Sequence, residues 1–315
     1  MANIDLSIII PTKNNKAKTA EIISKISEDV KDLELEFIIT DMNSSDGSVL
    51  SALNMIKEKN LRGCVIQSGA GTISSALNTG IYKSGGKYVT FLYPTRLYKN
   101  YLKDYVNAAA EKNADVVFAV PNGDGDSTAK PVILDTMTGG DVAVSLIRGS
   151  LVMDFTAVLF DREFLLRNNI RFYDDCTFGY AEAFIYNALM YDPIIGHADI
   201  ALERDFVNGI SKDGSTAVSN NCFERLDAMI KVRDTIRRQH KNDVVLISYF
   251  DHSKLPSVVM GCVDRLLSQG FSFNSIKKLL KTKNYDQYLE MTGETPADLK
   301  KKIILWKTMP FLYKP

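Results

Sequence analysis

Over its first 120 residues the chain alternates short apolar runs with segments whose apolar residues are spaced as in a helix. Each run is dense enough for a strand that is buried on both faces, and each intervening segment could form a helix that crosses the sheet. The runs lie at residues 6–10, 35–40, 64–67, 88–92 and 115–120. Strand, helix and strand in succession predict an α/β fold with a mostly parallel, doubly wound sheet.

The pattern changes after about residue 121. Residues 121–128 (PNGDGDST) form a turn cluster, and the segment from there to about residue 161 has the pattern of strands. A helix is predicted around residues 181–191, and from about residue 217 onward the apolar spacing is nearly all helical. We therefore predict an α/β domain over residues 1–216 and a helical C-terminal region over residues 217–315.

Ligands of a doubly wound sheet bind beyond the carboxyl ends of its strands, so the segments that follow the apolar runs form the candidate site. Pro11 is expected to end the first strand because it lacks a ladder donor, and Thr12 and Asn14 then offer short polar side chains. Asp41 follows the second run, where its carboxylate could accept a hydrogen bond from a ligand. The alternative for Asp41 is a cap on the turn that follows it.

Three segments resemble a known family: SIIIPTKNN, EFIITDMNSSDGS and GTISSALNTGIYKSGGKYVTFL. Their order and spacing are similar to those of GT-A glycosyltransferases of family 2, over about residues 5–205. The resemblance implies a Rossmann-like GT-A fold, UDP or a UDP-linked sugar as ligand, and Asp41 as the residue that recognises the base. It also implies donor contacts from Pro11, Thr12, Asn14 and Asn78. For Asn78 and Gly80, close packing of a helix on a strand is an equal alternative.

The metal-binding motif of this family is replaced here. Relatives carry F-L-D-x-D-D, whose carboxylates hold Mg²⁺ or Mn²⁺ on the sugar diphosphate, whereas this sequence reads FLYPTR. Tyr93 and Thr95 stand at the D-x-D positions, and neither is a normal ligand for these ions. We therefore expect no metal and no other cofactor. His197, His240 and His252 show no ligand spacing either, which argues against zinc or haem.

The catalytic-base motif is altered as well. IRFYDDCTFGYAEAF at residues 170–184 lines up without gaps with R-F-D-E-x-L-x-x-G-E-D-x-x-F of the family. Tyr180 and Ala181 therefore replace the Glu-Asp pair that supplies the base, and Glu182 is one residue further along. A third change places Leu77 where many relatives have an arginine.

An inverting transferase needs a base for the acceptor hydroxyl and positive charge for the departing diphosphate. The candidates for the base are Glu182, Asp175 and Asp174. The candidates for binding the diphosphate are Arg96, Lys99 and Arg204. The alternative for all of these charges is a solvated surface or, for the two aspartates, a turn before the helix. Asp124 and Asp126 form a literal D-x-D, but their setting predicts a hairpin loop.

Composition excludes several functions. The chain has 38 basic and 38 acidic residues, so no overall field would attract it to nucleic acid. Its four cysteines are far apart in sequence, which argues against a disulfide framework and favours a reducing, cytoplasmic compartment. The apolar run before Pro11 is too short for a signal-peptide core or a membrane span.

The C-terminal sequence ADLKKKIILWKTMPFLYKP mixes lysines with aliphatic and aromatic residues. This mixture suits peripheral contact with the inner face of an anionic membrane, or with a groove on a partner. The alternative is a tail that folds back onto the helical core, because Pro310 would interrupt a long interfacial helix.

Two functional hypotheses follow. The first is an enzyme that transfers a sugar from a nucleotide donor, with UDP preferred, to a saccharide, lipid-linked or protein acceptor, in the synthesis of a bacterial surface polysaccharide or glycoprotein. The second is a catalytically silent relative that acts as a scaffold or regulator of an active glycosyltransferase, through a partner contact or a homodimer. The retained nucleotide-side residues favour the first hypothesis, and the replaced metal and base positions favour the second.

Overall fold

The computed structural model describes residues 4–30, 32–69, 71–93, 97–119, 137–198, 200–205 and 222–314. The strands are β1 (Leu6–Thr12), β2 (Leu35–Asp41), β3 (Arg62–Gln67), β4 (Tyr88–Phe91), β5 (Leu97–Tyr98), β6 (Val116–Phe118), β7 (Val158–Asp161), β8 (Ile195–His197) and β9 (Arg204–Asp205). The helices are α1 (Lys16–Asp29), α2 (Ser48–Glu58), α3 (Ile73–Lys83), α4 (Leu102–Lys112), α5 (Gly139–Arg148), α6 (Arg162–Arg167), α7 (Tyr180–Leu189), α8 (Cys222–Gln239), α9 (Val244–Tyr249), α10 (Leu255–Ser268), α11 (Phe273–Thr282) and α12 (Ala297–Thr308).

The described strands form a seven-stranded sheet in the order β3-β2-β1-β4-β7-β6-β8, and β5 pairs with β9 in a separate two-stranded sheet. β1 runs parallel to β2 and β4, and β2 runs parallel to β3, whereas β7 is antiparallel to β4 and β6. The predicted α/β fold with a mostly parallel, doubly wound sheet is confirmed. The chain runs outward from β1 to β3 and returns to β4 on the other side of β1, so the topological switch point lies between β1 and β4.

The two faces of the sheet bury different helices. Successive residues of a strand point to opposite faces. Ile8 lies in the same buried cluster as Ile22 of α1, whereas Ile9 lies in a cluster with Leu77 of α3. Burying one such aliphatic side chain contributes roughly 1.5–3 kcal/mol relative to leaving it exposed. The apolar runs of β1, β2, β4 and β6 are therefore strands that are covered on both sides. The prediction of a buried strand is wrong for β3, which lies at the edge of the sheet and is exposed or half-buried along its length.

The segment before residue 161 corrects one prediction. Residues 139–148 form helix α5, where the sequence pattern indicated strands. The helix begins with a capping box, in which the Thr138 hydroxyl accepts from the Asp141 N–H and the Asp141 carboxylate accepts from the Thr138 N–H. Local capping therefore outweighs the strand preference of the valines in this helix. The predicted turn cluster at 121–128 lies outside the described residues.

The predicted helical C-terminal region is confirmed by helices α8 to α12. These helices do not form a separate core. Phe184 of α7, Met229 of α8 and Val258 of α10 belong to the same buried cluster as Ile9 of β1. The predicted boundary at residues 216 and 217 lies outside the described residues.

A π-helical turn at Phe250–Lys254 joins α9 to α10. Pro256, in the first turn of α10, lacks the N–H that would otherwise reach the His252 carbonyl four residues earlier. The Thr295 hydroxyl donates to that carbonyl instead, at 2.5 Å. The turn widens where the proline removes a helical hydrogen bond, and its last residue, Lys254, faces Glu182 of α7. Within the described ranges, no helix has the length and apolar character needed to cross a bilayer.

Candidate functional site

The switch point brings the ends of β1, β2 and β4 side by side. β2, β1 and β4 are consecutive strands of the sheet. Neighbouring strands lie about 4.8 Å apart, so the ends of β2 and β4 are separated by roughly 10 Å. Asp41 is the last residue of β2, and Tyr93 lies two residues beyond β4. The candidate site therefore extends from Asp41 to Tyr93.

The turns after β1 and β2 are joined by hydrogen bonds. The Asn14 N–H donates to the Ser44 hydroxyl at 2.9 Å, and the Asn14 side-chain oxygen accepts from the Ser45 N–H at 2.9 Å. Asn14 has a φ of 52°, a left-handed conformation that asparagine tolerates better than most residues. Lys16 donates its N–H to Asp46 at 3.0 Å. Asn14 therefore joins the turn after β1 to the turn after β2, and its side-chain oxygen already accepts a hydrogen bond.

Asp41 is fully buried, and its two carboxyl oxygens differ. Oδ2 accepts from the Ser44 N–H at 3.0 Å, which is the turn-capping contact that was the alternative for this residue. Oδ1 is buried and has no hydrogen-bond partner in the described structure, and neither has the adjacent Thr40 hydroxyl. A buried polar atom without a partner costs roughly 1–3 kcal/mol. Asp41 therefore caps its turn with one oxygen and leaves the other oxygen open to a donor.

Pro11 and Thr12 lie within β1 rather than after it, which corrects the expectation that Pro11 ends the strand. Pro11 is paired with Thr40 of β2. The pairing with β4 stops at Ile9, so the missing N–H leaves no β4 carbonyl without a partner. Thr12 is buried, and its hydroxyl shares a hydrogen bond with the Thr19 hydroxyl at 2.9 Å. Pro11 and Thr12 therefore form part of the strand on which the candidate site is built.

Asn78 of α3 has a structural role in this fold. Its amide nitrogen donates to the Phe172 carbonyl and to the Asp174 carboxylate, both at 2.9 Å, and its oxygen accepts from the Phe172 N–H at 2.9 Å. A Cβ at Gly80 would lie 2.4 Å from a methyl carbon of Ile9, so α3 packs closely on β1. These contacts support the packing alternative for Asn78 rather than a contact with the nucleotide.

Tyr93 and Tyr180 face each other at the end of β4. The Tyr93 hydroxyl is buried and has no hydrogen bond of normal geometry within the described structure. Burial raises the pKa of Tyr93 well above its ordinary value, and the neighbouring Tyr180 hydroxyl raises it further. Burial raises the pKa of Tyr180 as well. Both phenols therefore remain protonated at neutral pH.

Glu182, in the first turn of α7, is engaged by two cations. Its Oε2 accepts from Arg225 Nε at 2.7 Å, its Oε1 accepts from Arg225 Nη2 at 3.1 Å, and Lys254 also binds Oε1. Burial by itself would raise the pKa of Glu182, but the charges of Lys254 and Arg225 outweigh burial and lower that pKa to about 2. A carboxylate with such a low proton affinity is a poor general base.

The two other candidate bases differ in their partners. Asp175 forms an ion pair with Lys231 at 2.8 Å, and the hydrogen bond from Lys231 lowers the pKa of Asp175. Asp174 is exposed; it accepts a hydrogen bond from the Asn78 amide and forms no ion pair with a described side chain. The loop that carries both residues is held on α3, because the Thr72 hydroxyl donates to the Asp174 carbonyl at 2.7 Å.

The candidate cations are placed only in part. Lys99 follows β5, donates its N–H to the Glu203 carbonyl at 3.0 Å and pairs with the Glu203 carboxylate at 3.8 Å. Tyr98 of β5 is paired with Arg204 of β9, so the backbones of the Lys99 and Arg204 segments are neighbours. Thr95, Arg96, Asp124 and Asp126 lie outside the described residues.

Sequence reasoning missed Arg225 and Lys254. They lie 43 and 72 residues from Glu182 along the chain. Neither falls in a motif, and a lysine or arginine on a helix is ordinarily a solvated residue. The only local signal was Pro256, two residues after Lys254, which disturbs the helix there.

The chain is similar to known proteins in family, in sequence and in structure. Residues 7–180 match the model described as glycosyl transferase family 2. The poly(ribitol-phosphate) β-N-acetylglucosaminyltransferase TarP of Staphylococcus aureus strain N315 is 29% identical over 175 residues, which cover 53% of this chain and 52% of TarP. The chain thus spans about half the length of this curated relative.

Solved structures show the same fold. S. aureus TarS 1–349 in complex with UDP-GlcNAc superposes with a TM-score of 0.64 at 17% identity, over 96% of this chain and 87% of that one. The mannosyltransferase PcManGT of Pyrobaculum calidifontis, in complex with GDP-Man and Mn²⁺, superposes with a TM-score of 0.55 at 16% identity, over 99% and 88% of the two chains. At these identities the likeness is one of fold.

Proposed function

The chain belongs to glycosyl transferase family 2, and we propose on that premise that it transfers a sugar from a UDP-linked donor to an acceptor hydroxyl with inversion. The GT-A fold places the ends of β1, β2 and β4 where such a donor would bind. Nothing in the comparisons favours the alternative of a catalytically silent scaffold.

The observation that carries the proposal is the buried carboxyl oxygen of Asp41. Oδ1 has no donor in the described structure, although Oδ2 is engaged by the turn. The imide N–H of uracil would supply the missing hydrogen bond at the end of β2. Because Asp41 has no exposed surface, base binding requires a small opening of the turns around Ser44 and Ser68 that cover it.

N-acetylglucosamine is the donor sugar that we propose. TarP is named as an N-acetylglucosaminyltransferase, and TarS was solved in complex with UDP-GlcNAc. The acceptor that we propose is a hydroxyl of a cell-surface polymer, since TarP is named for poly(ribitol-phosphate). A transfer assay with saccharide, lipid-linked and protein acceptors would test this choice of acceptor.

Asp174 is the general base that we propose among the three candidate carboxylates. A base needs proton affinity, and neighbouring cations remove it. Glu182 is bound by two cations and Asp175 by one, whereas Asp174 accepts a neutral amide hydrogen bond. Lys99, Arg204 and Arg96 are proposed to bind the diphosphate. Lys99 and Arg204 are supported in this because the segments that carry them are neighbours, since Tyr98, the residue before Lys99, pairs with Arg204.

Calorimetric titration of UDP and UDP-GlcNAc into the full chain tests the donor site. We expect both to bind, and Asp41→Ala to weaken both by roughly tenfold or more, because a hydrogen bond to a charged group is worth about 1.5–3 kcal/mol. Asp5→Ala is the control, since this carboxylate accepts from the Glu34 N–H at the opposite end of the sheet. If neither nucleotide binds the wild-type chain, the enzyme hypothesis fails.

A transfer assay tests the base. Asp174→Asn is expected to keep UDP binding within about twofold and to lower the rate of sugar transfer roughly 100-fold or more, which is the usual contribution of a general base. Asp175→Asn is the matched control because it changes the neighbouring carboxylate. Equal rates for wild type and Asp174→Asn would assign the proton transfer to another group.

Peripheral contact of the C-terminus with an anionic membrane is a further part of the proposal. Both alternatives for the tail have support: Trp306 and Tyr313 are buried against the helical core, whereas Phe311 and Leu312 are 70% and 53% exposed. The exposed pair lies between Lys307 and Lys314. An apolar tip flanked by lysines suits the boundary between lipid headgroups and acyl chains.

A further inference from the structure

The end of β4 presents phenols where a divalent cation would need carboxylates. Tyr93 lies just beyond β4, and Tyr180 is the first residue of α7. Mg²⁺ and Mn²⁺ take carboxylate, carbonyl and water oxygens in preference to a protonated phenol. Across the part of the chain that the structure describes, no group of three or more His, Cys, Asp or Glu side chains could hold a metal ion. The described side chains at this point therefore do not fit a divalent cation.

The Tyr93 hydroxyl has an unsatisfied hydrogen-bonding capacity. It is buried, lies against the Tyr180 hydroxyl, and makes no hydrogen bond of normal geometry with a described residue. Buried polar groups in native proteins almost always have a partner, so an exception calls for an explanation. Because both phenols stay protonated, each has an O–H to donate. The two hydroxyls face each other, so at most one O–H is used between them, and at least one O–H is left to donate to an acceptor outside the pair.

Aromatic packing holds the pair in place. The Tyr93 ring lies 6.1 Å from that of Phe155, and the Tyr180 ring lies 6.1 Å from that of Phe172. Phe172 in turn is stacked on Phe184 at 4.0 Å. Rings packed in this way have few rotamers, so the hydroxyls are oriented before a ligand arrives. A carboxylate at residue 93 would lie against apolar rings and lose its hydration.

We propose that the Tyr93–Tyr180 pair takes the place of the divalent cation, with the two hydroxyls donating hydrogen bonds to the diphosphate of the nucleotide sugar, so that donor binding needs no Mg²⁺ or Mn²⁺. The inference rests on the proposed function, which supplies the diphosphate. Tyr93 lies roughly 10 Å from the end of β2, which is the separation of two strands. A nucleotide whose base binds Asp41 would therefore have its diphosphate toward the two phenols. The two phenols orient the diphosphate by hydrogen bonds but carry no charge, so its charge must be neutralised by a cation, for which Lys99 is the described candidate.

Calorimetric titration of the full chain with UDP and with uridine, each in EDTA and in Mn²⁺, separates the two parts of the site. Wild type is expected to bind UDP with the same affinity within about twofold in both buffers. Tyr93→Phe and Tyr180→Phe keep the rings and remove the hydroxyls. Each is expected to weaken UDP binding roughly tenfold, as the loss of one hydrogen bond to an anion does, and to leave uridine binding unchanged.

The matched control is Tyr82→Phe, which removes a hydroxyl from a side chain that is 72% exposed on α3. This variant is expected to bind both ligands as wild type does. Three results would overturn the proposal: UDP binding that requires Mn²⁺, phenylalanine variants that bind UDP as tightly as wild type, or an equal loss of UDP and uridine. Absence of both UDP and uridine binding to wild type would instead refute the proposed function, and this proposal with it.

Discussion

At the scale of single residues, the polar side chains of the candidate site differ in whether they already have hydrogen-bond partners. Asn14 and Asn78 use their side chains to hold turns and a loop, whereas Asp41 and Tyr93 each keep a buried oxygen that no described group satisfies. A protein gains stability by satisfying buried polar atoms, so such exceptions concentrate where a ligand binds. Five buried side-chain atoms of the described residues have no partner, and those of Thr40, Asp41 and Tyr93 lie at the ends of β2 and β4, which supports the proposed donor site there.

Glu182 gives a prediction about stability at this scale. Removing its charge leaves Arg225 and Lys254 next to each other without a counterion, so Glu182→Gln is expected to lower the free energy of unfolding by about 3 kcal/mol. Urea denaturation at neutral pH measures the change. Glu203→Gln is the control, because its pair with Lys99 is exposed and should contribute at most about 1 kcal/mol. A loss no larger than that of the control would contradict the assignment.

The same network predicts a pH dependence. The folded pKa of Glu182, about 2, lies below the ordinary carboxyl value of 4.5, so its charge stabilises the fold above about pH 4.5. That contribution is lost as the pH falls toward 2. Between about pH 7 and about pH 3.5, the difference in stability between wild type and Glu182→Gln should shrink by on the order of 1 kcal/mol. A constant difference over this range would show that Glu182 is not held ionised by its partners.

At the scale of elements, the strands follow from the local pattern of apolar residues, whereas the packing of a helix on its neighbour depends on how closely their backbones approach. α5 packs its first residue against the end of α7: a Cβ at Gly139 would lie 1.9 Å from the Leu189 carbonyl oxygen. At Gly261, inside α10, a Cβ would meet nothing within 4 Å. A side chain at position 139 is therefore excluded by the backbone of α7, whereas position 261 has room for a side chain.

These glycines predict substitutions of opposite sign. Gly139→Ala is expected to destabilise the fold by about 2 kcal/mol or more, because backbone must move to admit the methyl group. Gly261→Ala is expected to stabilise it by roughly 0.5–1 kcal/mol, because alanine loses less conformational freedom in a helix. Thermal unfolding of the two variants beside wild type checks both signs. A Gly139→Ala variant as stable as wild type would show that α5 approaches α7 less closely than described, and a Gly261→Ala variant less stable than wild type would contradict the argument for Gly261.

At the scale of the whole molecule, charge is balanced overall but unevenly placed. Residues 273–314 contain nine lysines and four acidic residues, a net charge of +5 in a chain whose net charge is zero. Most of these lysines, on α11, on α12 and in the tail, are exposed, and α12 leads to the exposed apolar tip at Phe311 and Leu312. The C-terminal segment is therefore basic and partly apolar on its exposed surface, which suits an anionic membrane.

Membrane contact is predicted from this distribution. The full chain is expected to co-float with vesicles that contain anionic phospholipid and not with neutral vesicles, and salt should weaken the binding because charge screening weakens the attraction. The double variant Phe311→Ser with Leu312→Ser should bind several-fold more weakly. Val244→Ser with Val245→Ser is the control, since these exposed residues lie at the start of α9. Equal flotation with neutral and anionic vesicles would contradict the prediction.

The sequence by itself determined the order of strands and helices over the first 120 residues, the mostly parallel sheet and the helical C-terminal region, because apolar periodicity is a local property of the chain. It also located Asp41 and Tyr93, since the end of a buried strand can be found from where an apolar run stops. The helical character of α5 was present in its capping box, but the valines beside it concealed that signal.

Only the tertiary structure decided which polar groups are free and which are engaged. The ion pairs that hold Glu182 join residues 43 and 72 positions apart, and no local pattern encodes a contact of that separation. The same is true of Asn78, whose amide holds a loop more than 90 residues away. Burial and partnership depend on all the elements that meet at a point, and for this reason the motif could place the candidate residues while only the packed fold could sort them by role.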